Sequence, residues 1–78
     1  MTRYILDVAE AGRIITIEAE LLYEVAAEDQ NISALWYGSQ KARIFPSRDR
    51  SFPVRIKNQS TGQAVKAKRL LQTPSDSE

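Results

Sequence analysis

The sequence predicts a small all-β domain, an antiparallel meander curled into a barrel or sandwich. Three observations carry this reading. Ile15, Ile17, Ala19, Leu21, Tyr23 and Val25 alternate with Thr16, Glu18, Glu20, Leu22 and Glu24, and a period of two marks a half-buried strand. The glycines Gly12, Gly38 and Gly62 each fall between two runs that read as strands, where hairpin turns belong. Finally, 78 residues without a single Cys make one thin-cored domain that packing alone must hold.

The first hairpin joins Tyr4–Val8 to a long strand, Arg13–Val25. A loop at Ala9–Gly12 sets Leu6 opposite Ile15 and Tyr4 opposite Ile17, so the apolar sets share a face. The second joins Ile32–Tyr37 to Gln40–Phe45 through Gly38-Ser39. Glycine at the first central position suits a type II′ turn. In this register Trp36 faces Lys41, Ala34 faces Arg43 and Ile32 faces Phe45, while Leu35, Ala42 and Ile44 point to the core. The third joins Phe52–Asn58 to Ala64–Leu70 around Ser60-Thr61-Gly62, with Ile56 opposite Ala67, Lys57 opposite Lys66 and Arg55 opposite Lys68. Between the second and third pairs, PSRDRSFP is a loop bounded by Pro46 and Pro53. The domain spans residues 1–71, and the polar tail 72–78 is expected to be disordered. The alternative is an α+β fold with a helix at 18–28, where Leu21, Leu22, Val25 and Ala26 also have helical spacing, and a second helix at 62–71.

The residue types missing from the chain exclude much chemistry. With no His and no Cys there is no Ser-His or Cys-His nucleophile, no thiolate and no Cys- or His-built zinc site. Glu18, Glu20 and Glu24 lie on one face of the predicted strand and read as a solvated surface, not a carboxylate pair. The acidic stretch at Asp29 and Asn31 lacks the glycine turn and closing Glu of a calcium loop. No cofactor, metal or catalytic residue is therefore expected. One enzyme class remains conceivable, a small ribonuclease using Tyr23, Tyr37, Lys41 and Arg43 as an electrostatic cradle, but no motif supports it. The N-terminus is no signal peptide, no run is long enough to span a membrane, and the absence of Cys in so small a domain favours the cytoplasm.

Charge is the informative feature. Residues 1–30 hold two cations against seven anions, net −5, and residues 31–78 hold nine cations against three anions, net +6. All nine of those cations lie in 41–69, with Asp49 the one anion there. In the predicted hairpins Lys57 and Lys66, and Arg55 and Lys68, are like charges directly opposed across strands. That costs stability unless an anion neutralises them, and phosphate backbones are the usual partner. The expected function is thus a non-catalytic binding module that contacts nucleic acid. Lys41, Arg43, Arg55, Lys57, Lys66 and Lys68 would neutralise phosphates, Trp36 or Phe45 would offer a stacking platform, and Arg48 and Arg50 would reach around from the proline-bounded loop. The alternative is a protein–protein interaction module of the phage assembly or inhibitor type. Its oppositely charged halves also permit head-to-tail homo-oligomers.

Arg43-Ile44-Phe45-Pro46, with Ala64-Val65-Lys66 further on, resembles the run leading from the recognition helix into the wing of phage winged-helix excisionases. The resemblance would imply a DNA-bending factor. It covers seven residues, and Gly38 stands where that helix would carry its Trp, so membership is not assigned.

Overall fold

A computed structural model describes residues 2–19 and 21–70. It is a closed antiparallel barrel of six strands: β1 (Thr2–Ala9), β2 (Ile14–Ile17), β3 (Leu21–Val25), β4 (Lys41–Pro46), β5 (Val54–Asn58) and β6 (Ala64–Leu70). Around the barrel the order is β1-β2-β3-β6-β5-β4, with β4 closing onto β1. Two three-stranded meanders thus face each other, and closure removes the open edges that short strands would otherwise expose.

The alternation from Ile15 to Val25 is real, but it runs through two strands instead of one. β2 and β3 pair with Ile17 opposite Leu21, leaving a three-residue loop at 18–20. An odd-length loop preserves the parity of side-chain direction, so Ile15, Ile17, Tyr23 and Val25 all enter the core. Ala19, in the middle of that connection, takes a left-handed φ of 68°. The helix at 18–28 is not formed, and 64–70 is strand β6.

The first hairpin forms in a different register. Val8 pairs with Ile15, and the ladder slips between Ile5 and Asp7 so that Ile5 pairs with Ile17. This bulge turns Ile5 inward, fully buried, and leaves Tyr4 and Leu6 exposed. The turn, in which Glu10, Ala11 and Gly12 all adopt positive φ, moves the pairing by two residues, which keeps every face; the extra residue of the bulge is what exchanges the faces.

The second predicted hairpin does not form. Residues 26–40 cross the barrel between β3 and β4 as a 3-10 turn (Ala27–Asp29) followed by one turn of helix, α1 (Gln30–Ser33). The positive φ of the following turn falls on Ser39 (77°) instead of Gly38. Gly38 is needed for close approach, because a Cβ would lie 2.8 Å from the Leu6 carbonyl oxygen. α1 locks onto the first turn through the Ser33 hydroxyl, which donates to the Gly12 carbonyl at 2.6 Å. Trp36, at 3% exposure, joins the core with Ile5, Ile15, Ile17, Tyr23, Val25, Ala42, Ile56, Val65 and Ala67. Ala42 is buried and Ile44 packs against that cluster, as expected, whereas Leu35 is exposed.

The third hairpin forms with Ile56 opposite Val65 and Arg55 opposite Lys66, two positions from the expected register. A slide of two leaves every side chain on its own face. Its loop is tied by Asn58, fully buried, whose Oδ1 accepts from the N–H groups of Ser60 and Thr61 while Nδ2 donates to Gln40 Oε1 at 2.9 Å. The proline-bounded segment is the β4–β5 loop, closed by the Ser47 N–H donating to the Pro53 carbonyl. The expected disordered tail, 72–78, lies outside the described residues.

Candidate nucleic-acid interface

β4, β5 and β6 turn alternate residues outward. The closure of the barrel buries Ala42, Ile56, Asn58, Val65 and Ala67, so the intervening residues face solvent: Lys41, Arg43 and Phe45 on β4, Arg55 and Lys57 on β5, and Ala64, Lys66 and Lys68 on β6. The cross-strand register sets Arg43 opposite Lys57, Phe45 opposite Arg55, and Arg55 opposite Lys66. The expected oppositions of Lys57 with Lys66 and of Arg55 with Lys68 do not form, because the register lies two residues away; Arg43 opposite Lys57 and Arg55 opposite Lys66 are like-charge pairs instead.

Not all the cations are equally available. Lys66 bridges Glu28 at 2.9 Å and Asp49 at 3.4 Å, and Lys68 lies 3.7 Å from Glu24. The Lys66 ammonium is held above its ordinary pKa, first by its hydrogen bond to Glu28 and then by Asp49. Glu28 is held below the usual carboxylate range chiefly by Lys66. Asp49 is also low, chiefly because the N–H groups of Phe52 and Ser51 donate to it, with Lys66 adding less. The acidic first half and basic second half of the sequence thus partly neutralise each other within one molecule. By contrast, Lys41, Arg43, Arg55 and Lys57 have no ion-pair partner among the described residues.

Two of these four unpaired cations, Arg55 and Lys57, line an open depression of about 500 Å³ together with Phe45, Gly62 and Ala64. The depression exists because β6 carries Ala64 opposite Lys57, and because Gly62 projects nothing into the space beside it. Gly62 is required by its φ of 80°, not by crowding. On β4 the Arg43 guanidinium carbon lies 5.4 Å from the centre of the Phe45 ring, within cation–π range. In the β4–β5 loop Asp49 fixes an Asx turn that leaves Arg48 and Arg50 exposed, and Lys68 lies 5.9 Å from the Phe52 ring centre.

Of the ten residues that the sequence singles out, nine lie on this face or its adjoining loop. Trp36 does not. Its indole is in the core and its Nε1 donates to Gln63 Oε1 at 3.2 Å, so it is no stacking platform; its predicted strand is replaced by α1 and the turn after it. The ribonuclease constellation is not assembled either, because Tyr23 is a core residue while Tyr37 is exposed. The acidic trio is not a unit: Glu24 binds Arg13 and Lys68, Glu18 accepts from the Tyr4 backbone N–H, and Glu20 is outside the described residues. No cluster of metal-ligating side chains is found among the described residues, and no described helix is long and apolar enough to cross a membrane. The residue that sequence reasoning missed is Tyr4, which stands outward opposite Lys41; only the bulge in β1 shows it. Excisionase architecture is absent, since Gly38 lies in a turn where a recognition helix would be.

No family model, no curated protein and no solved structure matches this chain.

Proposed function

We propose that this protein is a binding module for nucleic acid, engaging the phosphate backbone through the outer face of β4, β5 and β6. The observation that carries the reading is the group Lys41, Arg43, Arg55 and Lys57, four cations on adjoining strands with no carboxylate partner among the described residues. Arg43 and Lys57 are directly opposed, an arrangement that works against the fold and that a polyanion relieves. Arg13, Lys66 and Lys68, by contrast, are paired with carboxylates, and the four form the group of cations without such a partner that the β4–β5 register places together. Arg48 and Arg50 extend the positive surface at the β4–β5 loop.

The test is a titration of a labelled oligonucleotide of about 20 nucleotides at several salt concentrations. With four to six phosphate contacts, log K should fall against log salt with a slope of about −3 to −5. Absence of binding at low salt rejects the proposal. A second reading, a protein-interaction module, is favoured by Leu35 and Tyr37, which stand 75% and 64% exposed on the β3–β4 connection. It predicts no affinity for the oligonucleotide.

A further inference from the structure

We infer that the ligand is a single-stranded nucleic acid whose bases stack on two rings at opposite ends of the cationic stripe, Phe45 and Tyr4. The inference rests on the backbone-binding reading above and adds the form of the strand. Along β4 the outward residues are Lys41, Arg43 and Phe45, and β1 sets Tyr4 opposite Lys41. Tyr4 is 43% exposed, on the outward face opposite to that of the fully buried Ile5. Along the strand direction the two ring positions are four residue steps apart, about 13 Å at 3.3–3.4 Å per residue. Arg43 lies between them and Lys57 lies beside Arg43.

Each ring has a cation at a neighbouring position. Arg43 lies 5.4 Å from the Phe45 ring centre, and Tyr4 shares its register with Lys41. Phe45 forms one wall of the depression, whose volume of about 500 Å³ falls in the usual range for a seated small ligand. Arg55 and Lys57 line that same depression, placing charge where the phosphates flanking a seated base would run. A duplex stacks its own bases about 3.4 Å apart and offers neither face of any base to a protein ring. An exposed Tyr4 and a half-buried Phe45 at the wall of the depression, near unpaired cations, therefore have a use on an unpaired strand that they lack on a duplex.

The experiment compares three labelled ligands of equal length at matched salt: a single strand, its duplex, and an abasic strand that keeps the sugar-phosphate chain but no bases. DNA and RNA strands are run in parallel, since phosphate and base face are common to both. The single strand should bind more tightly than the abasic strand by about 5- to 100-fold per stacked base, and more tightly than the duplex. Phe45→Leu and Tyr4→Leu should each weaken binding to the normal strand, leave the abasic strand's affinity unchanged, and leave the salt slope unchanged. Because the unmodified protein answers through the abasic strand, a variant that folds poorly does not spoil the test. Equal affinity for normal and abasic strands, or for strand and duplex, overturns the inference and leaves the backbone reading standing. No affinity for any of the three overturns both.

Discussion

Lys57→Glu sets the stability of the barrel against its proposed function. Lys57 stands on the outer face of β5, directly opposite Arg43 on β4 and opposite Ala64 on β6. A glutamate there turns a like-charge opposition into an opposite-charge pair and meets no new repulsion on its other side. Each such cross-strand pair is worth about 0.2–1 kcal/mol in its own direction, so the swing is about 1 kcal/mol in favour of the fold. In a domain of this size about 1 kcal/mol raises Tm by about 4–8 °C. The same substitution removes a phosphate contact and puts an anion in the middle of the stripe. Oligonucleotide affinity should drop about tenfold or more at low salt, and the salt slope should flatten by about 0.7–0.9. Thermal unfolding followed by circular dichroism and anisotropy titrations between about 50 and 200 mM salt read the two effects separately. A lower Tm would refute the assignment of Lys57 and Arg43 to facing positions on one surface. An unchanged affinity would refute the site itself.

Three other outcomes follow from the geometry. Gly12→Ala should destabilise the protein by about 3 kcal/mol or more. A Cβ there would collide with the Gln30 carbonyl oxygen and lie 2.5 Å from the Ala34 nitrogen, at a φ of +92°; a denaturant midpoint within error of the original would show that α1 does not sit on this turn. Asn58→Ala should cost about 2–3 kcal/mol, since it empties a fully buried site, removes one of the two donors to Gln40 Oε1 and takes the acceptor from two N–H groups of the β5–β6 loop; a smaller loss in urea unfolding would mean that water replaces it. Acid should loosen the tie between the β4–β5 loop and β6. Glu28 and Asp49 are held below their ordinary values of 4.5 and 3.8, so their contribution is complete above those values and is lost as pH falls through the lowered ones. Carboxyl ¹³C shifts followed by NMR should titrate later than in a free peptide; ordinary titration of Glu28 would contradict the Lys66 bridge, and ordinary titration of Asp49 would contradict its hydrogen bonds from the Phe52 and Ser51 N–H groups.

The sequence by itself determined the fold class and the face on which most of the site lies, because both depend only on side-chain parity. Lys41, Arg43, Phe45, Arg55 and Lys57 alternate with buried Ala42, Ile56 and Asn58, and no slide by two residues changes that. The same parity made β2 and β3 look like a single strand, since a three-residue loop hides inside a period of two. Register lay beyond the sequence. The turns that set it use Glu10, Ala11, Ala19 and Ser39 at positive φ, residues that carry no glycine signal, and the bulge that exposes Tyr4 lies within β1, where no residue type marks it. Only the tertiary structure decided which cations stay unpaired. Glu28 reaches Lys66 and Glu24 reaches Lys68 because closing the barrel lays β3 beside β6. It also decided the place of Trp36: the crossing from β3 to β4 had to plug a thin core, and burying its largest side chain there outweighed any strand pairing that residues 32–37 could have made.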